Sequence, residues 1–485
     1  MSAITAINGL LPVVFWTDAL IYLLLACIVA LGFYVRRKEH LLIGWRRVGE
    51  SRIGMAALTV LLTFVAVGLL DSLHYRQQLE GGRDQQSQYA VEVLSLLDTI
   101  AMPLKKRTEK TYSAPFALDA YAKETVELPD GAQARVLPRL KYGGAHLKSP
   151  DDLTRDVATK ALLALLPAAL LWLGISVLVA RRCGTSVRGG WKDGWQRVWR
   201  GETRFAWNAV LITLGVLLAL LIPLAALSDS YHVFGTDKVG QDVFYLTLKS
   251  IRTGLVIGTV TTLVMLPFAL MLGIAAGYLG GWVDDVIQYV YTTLNSIPGV
   301  LLIAAAVLTM QVVIDMHPSW FATGAERADA RLLALCLILG VTNWTGLCRL
   351  LRAETLKLRE LEYVQAAQAF GVSRLRIMSR HILPNVMHIV LISVVMDFSG
   401  LVLAEAVLSY VGIGVDPSTI SFGTMINNAR MELAREPVVW WSLVAAFLFM
   451  FALVLAANVF ADAVRDGFDP RMRLRPRRRP QERMA

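Results

Sequence analysis

Nine runs of about twenty apolar residues dominate this chain, near 13–34, 53–70, 162–180, 206–227, 255–278, 290–313, 332–349, 389–411 and 439–460. A helix needs ~20 such residues to cross the hydrocarbon core of a bilayer. The expectation is therefore an all-α, polytopic membrane protein with about nine transmembrane helices. Charge content agrees, since 18% of the 485 residues are charged where a soluble chain carries roughly a quarter.

Basic residues orient the spans. They crowd the 35–52 loop, the 181–204 loop, the 350–388 loop and the tail, which together hold most of the excess behind a net charge of +10. With nine alternating spans these segments share one side, cytoplasmic by the positive-inside rule. Only the 279–289 turn departs, with Asp284 and Asp285 and no basic residue. The N-terminus then lies outside, and its first apolar run reads as a retained span, because residues 1–12 lack the basic start of a signal peptide. Basic clusters beside apolar spans argue against nucleic acid as a partner. Cys27, Cys183, Cys336 and Cys348 show no metal-ligand spacing, so neither a zinc site nor a disulfide framework is expected. Residues 71–161 form the long polar insertion, on the outer side. Within it a helix is expected over Tyr89–Leu104, and two short strands over Thr125–Val136 about a turn at Pro129-Asp130-Gly131. His74 and His146 read as surface residues there.

The 350–388 loop reads as helix, break, helix. Good helix formers run from Leu356 to Phe370, Gly371 suits a left-handed helix end, and Ser373 suits the next N-cap. Pro384 stands where the chain re-enters the membrane. Small Ala366 and Ala367 on an exposed helix permit close approach of another protein.

This pattern resembles the EAA loop of permease subunits of binding-protein-dependent ABC importers. Glu362, Gln365, Ala366, Ala367, Gly371, Leu383 and Pro384 carry the resemblance, with Gln365 where the family has Glu. It implies a coupling helix that docks on an ATPase subunit. The 232–242 segment, with Gly235, Thr236, Asp237, Gly240 and Asp242, resembles the FGTDxxGRD segment of dipeptide, oligopeptide and nickel permeases, with Gln241 for Arg. Further matches at 277–284, 296–299, 408–414 and 458–471 follow in family order. Residues 206–471 are thus expected to form a six-helix type I ABC importer permease core with its coupling loop at 356–385. Residues 1–205 would be an N-terminal extension with three helices and a small extracytoplasmic insertion at 71–161, and 472–485 a basic cytoplasmic tail. The resemblance implies a second permease subunit, two ATPase subunits and an extracytoplasmic solute-binding protein. ATP and Mg would sit on the ATPases, with no cofactor bound by this chain. The solute would be a peptide or a related small molecule.

Read without the resemblance, the 232–242 segment is a polar turn. Thr236 and Asp242 suit caps of short helices, a simpler reading than a metal site at His232, Asp237 and Asp242. Asp397 and Glu405, eight residues apart on one helical face, are costly in a bilayer and expected to face the pore or a partner helix. Asn295, Ser296, Thr342 and Asn343 are further pore candidates, with interhelical hydrogen bonding as the plainer alternative. No Gly-Lys-Ser or Gly-Lys-Thr occurs, so the chain is not expected to hydrolyse ATP, and no catalytic signature is found. The competing reading is a membrane-bound sensor or scaffold that retains the permease fold.

Overall fold

The computed structural model describes residues 10–37, 39–78, 89–127, 133–147, 149–184 and 191–468. The Pro129-Asp130-Gly131 turn, Arg188 and the basic tail lie outside the described residues. Among those described, nine helical stretches are long and apolar enough to cross a membrane, as the nine apolar runs require.

The chain opens with β1 (Leu10–Val13), the first span α1 (Trp16–Arg36) and the surface helix α2 (Glu39–Glu50). Ser51 then caps α3 (Arg52–Asp71) by accepting the Gly54 N–H at 3.1 Å. The insertion contributes β2 (His74–Gln77), β3 (Leu94–Ser95), α4 (Leu96–Ile100), α5 (Met102–Lys106), β4 (Glu124–Glu127) and β5 (Gln133–Val136). Where a helix was expected over Tyr89–Leu104 the chain first pairs as β3, because Ser95 serves as the capping-box residue of α4 and must itself be extended. The expected β4–β5 hairpin forms, with Glu124 opposite Val136.

Next come α6 (Leu153–Gly184), the short α7 (Trp191–Arg200) and α8 (Trp207–Ser228). The 37-residue α9 (Val243–Leu279) starts twelve residues before the expected span, capped by Asp242. The expected 290–313 span is instead two helices. Pro298 cannot donate a backbone hydrogen bond, so α10 (Gly281–Ser296) stops and α11 (Gly299–Met316) starts afresh. The seventh span is a rod of two helices, α12 (Gly324–Asn343) and α13 (Thr345–Arg359), joined through Trp344. After α14 (Glu362–Ala369) and α15 (Arg374–Ile377), a π-helical turn at Met378–Ile382 leads into α16 (Leu383–Val411), with Pro384 in its first turn. Helices α17 (Phe422–Glu432) and α18 (Trp441–Phe468) end the described chain.

Helix α9 is the hub, packed against α12, α13 and α16, with α3 wedged among α8, α9 and α18. Two cores result. One, around Phe244, Phe422, Trp441 and Leu453, joins α9 to α17 and α18. The other, around Ala269, Tyr278, Leu351, Val364, Ile377 and Ile382, lies beneath α14 and α15.

The loops fall into two sets, as an odd number of spans demands. At one end, β1 pairs with β2, which pairs with β3. There the insertion also bonds to the 229–242 and 433–441 segments, with Tyr121 donating to the Val438 carbonyl at 3.0 Å. At the other end, Gly44 of α2 abuts Phe468 of α18, and Arg352 holds Asp284 in a two-point ion pair at 2.6 Å. The insertion is therefore no free-standing unit, because its strands and hydrogen bonds are completed by other parts of the chain.

Candidate functional site

The helix–glycine–helix is rebuilt in one respect. The helix expected from Leu356 to Phe370 is broken at Glu360–Leu361, so that α14 starts at Glu362 and turns away from the rod of α13. Val364 is fully buried against the core below, anchoring α14 by one side chain. Gly371 has φ +72°, and its N–H and that of Val372 bond to the carbonyls of Gln368 and Ala367 at 2.9 and 3.1 Å. This is the left-handed helix end the sequence suggests. Ser373 takes the extended N-cap conformation of α15, though its hydroxyl makes no capping bond.

Glu362, Gln365, Ala366 and Gly371 are exposed, whereas Ala367, Leu383 and Pro384 are half-buried. Gln365 bonds only the nearby Glu360 carbonyl, at 3.3 Å. Gln368 donates to the Tyr278 hydroxyl at 3.2 Å, and Asn385 to the Tyr363 hydroxyl at 3.0 Å, tying the loop to α9 and to itself. Two residues that sequence reasoning passed over stand out. Phe370 is 87% exposed and Leu375 75% exposed, one on each side of Gly371. Large apolar side chains this bare, beyond the end of a span, make this a candidate interaction surface. Their signal in sequence was their position flanking the glycine rather than in a periodic stripe.

The polar residues of the spans separate. Glu405 is buried and accepts the Ser409 and Ser421 hydroxyls at 2.7 and 2.8 Å. Asp397 is half-buried and has no hydrogen bond or ion pair among the described residues. The two carboxylates thus share a helix but not a surrounding. Asn295 accepts the Thr345 hydroxyl at 3.1 Å, which sets it beside the α12–α13 joint. Asn343 turns back to the Leu339 carbonyl at 2.8 Å, Thr342 to that of Ile338, and Ser296 to that of Thr293.

The 232–242 segment is where the insertion locks to the rest. Asp242 caps α9, accepting the Phe244 N–H at 2.8 Å. Thr236 caps nothing. Instead its hydroxyl receives the Ser113 N–H at 2.6 Å and donates to the Thr111 carbonyl, because the insertion lies directly on it. Gly235 and Gly240 have φ of +69° and +75°, and a side chain at either would strike insertion backbone at Ser113 or Glu109. Asp237 accepts the Val239 and Gln241 N–H groups, shaping the turn.

His232 sits between Asp242 (2.7 Å) and Glu109 (3.4 Å). Burial opposes its charge, but the hydrogen bonds to Asp242 and Glu109 prevail and raise it to about 9. Burial likewise opposes the Glu109 charge, and the His232 bond with the Lys141, Tyr142 and Gly143 N–H groups outweighs it, lowering Glu109 to about 2. A raised histidine stabilises the fold fully below its unfolded value near 6.5, and that contribution fades as pH rises through about 9. Its full size is on the order of 3 kcal/mol. Thermal unfolding of the purified chain should therefore show a falling midpoint between pH 7 and 9.5, and His232→Gln should flatten that slope. An equal slope in both proteins would remove His232 as its source.

A second buried network was also missed. Arg252 binds Asp18 at 2.7 Å, where His74 also bonds at 2.8 Å, so His74 is not the surface residue expected. Lys249 binds Asp71 at 2.6 Å and Asp98 at 3.1 Å. These pairs fasten the first 100 residues to α9. Lys249 and Arg252 fell just before the expected span at 255, although a spacing of three already put them on one helical face.

Helices long and apolar enough to cross a membrane, with an open carboxylate at Asp397 and bare apolar side chains at one end, define a multi-pass membrane protein. Residues 269–474 match the family described as binding-protein-dependent transport system inner membrane component. The oligopeptide transport system permease protein OppC of Mycobacterium tuberculosis (strain ATCC 25618 / H37Rv) is 31% identical over 242 residues, covering 50% of this chain and 77% of that protein. The dipeptide transport system permease protein DppC of Bacillus subtilis (strain 168) is 27% identical, covering 58% and 86%. The glutathione transport system permease protein GsiD of Pectobacterium atrosepticum is 28% identical, covering 59% and 93%. Among solved structures, one of the MetNI methionine ABC transporter in inward-facing conformations aligns with 47% of this chain at 14% identity, with a TM-score of 0.34. The chain belongs to the binding-protein-dependent transport system inner membrane component family: it is a multi-pass inner-membrane permease subunit of an ABC transporter and works in a complex with other subunits.

Proposed function

We propose that this chain forms half of a pore that imports peptides or related small solutes. A second permease subunit completes the pore, and two ATPase subunits drive it with ATP and Mg that this chain does not bind. An extracytoplasmic binding protein delivers the solute. The observation that carries the reading is the exposed α14–Gly371–α15 surface, held rigidly on Val364 and Ile377. The names of the relatives, transport systems for oligopeptides, dipeptides and glutathione, support the solute class. Co-purification with an ATPase, and hydrolysis stimulated by peptide-loaded binding protein, test it. A chain that binds no ATPase yet responds to a ligand would favour the sensor reading.

In this reading residues 206–471 are the permease core and 1–205 an extension fastened to it. In the same reading the positive-inside rule sets α2, α7 and the coupling loop in the cytoplasm, with β1 and the insertion outside. Lys123 is exposed on the insertion. A cysteine placed there should react with an impermeant reagent in intact cells, and protection until the cells are opened would reverse the orientation.

Asp397 is the pore residue of first choice, because an unpaired carboxylate facing lipid would cost ~3 kcal/mol or more. Asp397→Asn should cut uptake severalfold with near-normal membrane levels. Unchanged uptake of several peptides would leave Asp397 a packing role.

A further inference from the structure

The short helix α7 divides cleanly into two faces. Gly194 and Val198 are buried against the end of α6, where a side chain at 194 would strike the α6 backbone. Trp191, Trp195 and Trp199 follow at intervals of four on the adjoining arc, and Trp191 remains 53% and Trp199 36% exposed. Trp199 stacks at a tilt near both Trp195 and Trp172 of α6, at 6.0 and 6.4 Å between ring centroids. Elsewhere around α6 the shaft is bare, with Leu170 70% and Leu178 63% exposed. On the opposite arc stand Lys192, Arg197 and Arg200 with one acid, Asp193. Arg181 near the end of α6 and Arg204 before α8 are exposed as well.

An apolar shaft, indoles and a cationic arc brought together are the side-chain types that suit acyl chain, interface and phosphate. We infer that α7, with the flanking Arg181 and Arg204, is a docking surface for anionic phospholipid headgroups of the leaflet it faces. The indoles sit at the glycerol level and the cations pair with headgroup phosphates. Each basic residue near an anionic surface contributes ~1 kcal/mol, whereas the bare indoles would disfavour an aqueous exposure of this face.

The test uses the full chain in nanodiscs of equal phosphatidylglycerol and phosphatidylcholine. Exposed Gln196 is replaced by cysteine and labelled with a fluorophore, with Cys27 and Cys183 changed to Ser; Cys336 and Cys348 are buried and stay. Brominated acyl chains are placed on one lipid at a time. Quenching by brominated phosphatidylglycerol should exceed that by brominated phosphatidylcholine about twofold or more. Lys192→Gln with Arg197→Gln and Arg200→Gln should bring the ratio to about one, and so should 0.5 M salt on the parent, where the Debye length falls to about 4–5 Å. Equal quenching in the parent, or an excess that survives both the triple change and salt, would overturn the proposal. Equal quenching joined to loss of ATPase co-purification in the triple variant would assign the surface to the ATPase instead.

Discussion

Gly371→Val is expected to lower solute-stimulated ATP hydrolysis at least tenfold while leaving the chain in the membrane at near-normal levels. The glycine has φ +72°, and a Cβ built there meets no atom within 4 Å. Space is therefore not the constraint. The backbone is, since a left-handed conformation costs an ordinary L-residue about 1–2 kcal/mol and a β-branched one more. Relieving the strain should swing α15 relative to α14 and so re-aim the exposed Leu375 relative to Phe370. Val364 and Ile377 lie in the core below and keep both helices attached, so folding survives. Gly371→Asn is the control, because Asn tolerates this conformation and should retain most of the stimulation. Full stimulation in the Val variant would show that the angle between the two helices does not matter.

The second large effect belongs to the apolar knuckle. Changing Phe370 and Leu375 together to Asp should weaken ATPase association by about 100-fold or more. Burying each such side chain at an interface contributes ~1.5–3 kcal/mol, and 1.4 kcal/mol is a tenfold change in affinity. Both are exposed in the chain alone, so its own stability should move by no more than ~0.5 kcal/mol. Co-purification and thermal unfolding of the same preparation read the two quantities separately. A double variant that retains the ATPase at parental affinity would place the docking surface elsewhere. Ala366→Trp, on the exposed side of α14, should reduce binding by bulk rather than charge, whereas Gln365→Glu should be neutral, because Gln365 bonds only to the nearby Glu360 carbonyl.

Much of this was legible in one dimension. Lipid leaves a helix little choice, so the nine apolar runs match the nine helical stretches, among the described residues, long and apolar enough to cross a membrane. Gly371 announced its own φ, because a helix end followed by a new helix one turn on leaves few other conformations. The two short strands expected over Thr125–Val136 are likewise present, paired as β4 and β5.

What stayed hidden depends on partners distant in sequence. Glu405 and Asp397 look alike along the helix, but Glu405 gains a second hydroxyl from Ser421 at the start of α17, beside that of Ser409 on its own helix, and Asp397 stays open. Thr236 looked like a cap until the insertion, more than 120 residues earlier, placed Ser113 and Thr111 on its hydroxyl. His74 looked exposed until α1 brought Asp18 to it. Local sequence thus determined the spans, their number and the turn at Gly371, since hydrophobic length and backbone torsion are properties of a segment. The tertiary structure alone decided which charges are paired, which carboxylate is open and that Phe370 and Leu375 are bare, since burial and pairing are properties of what a segment meets.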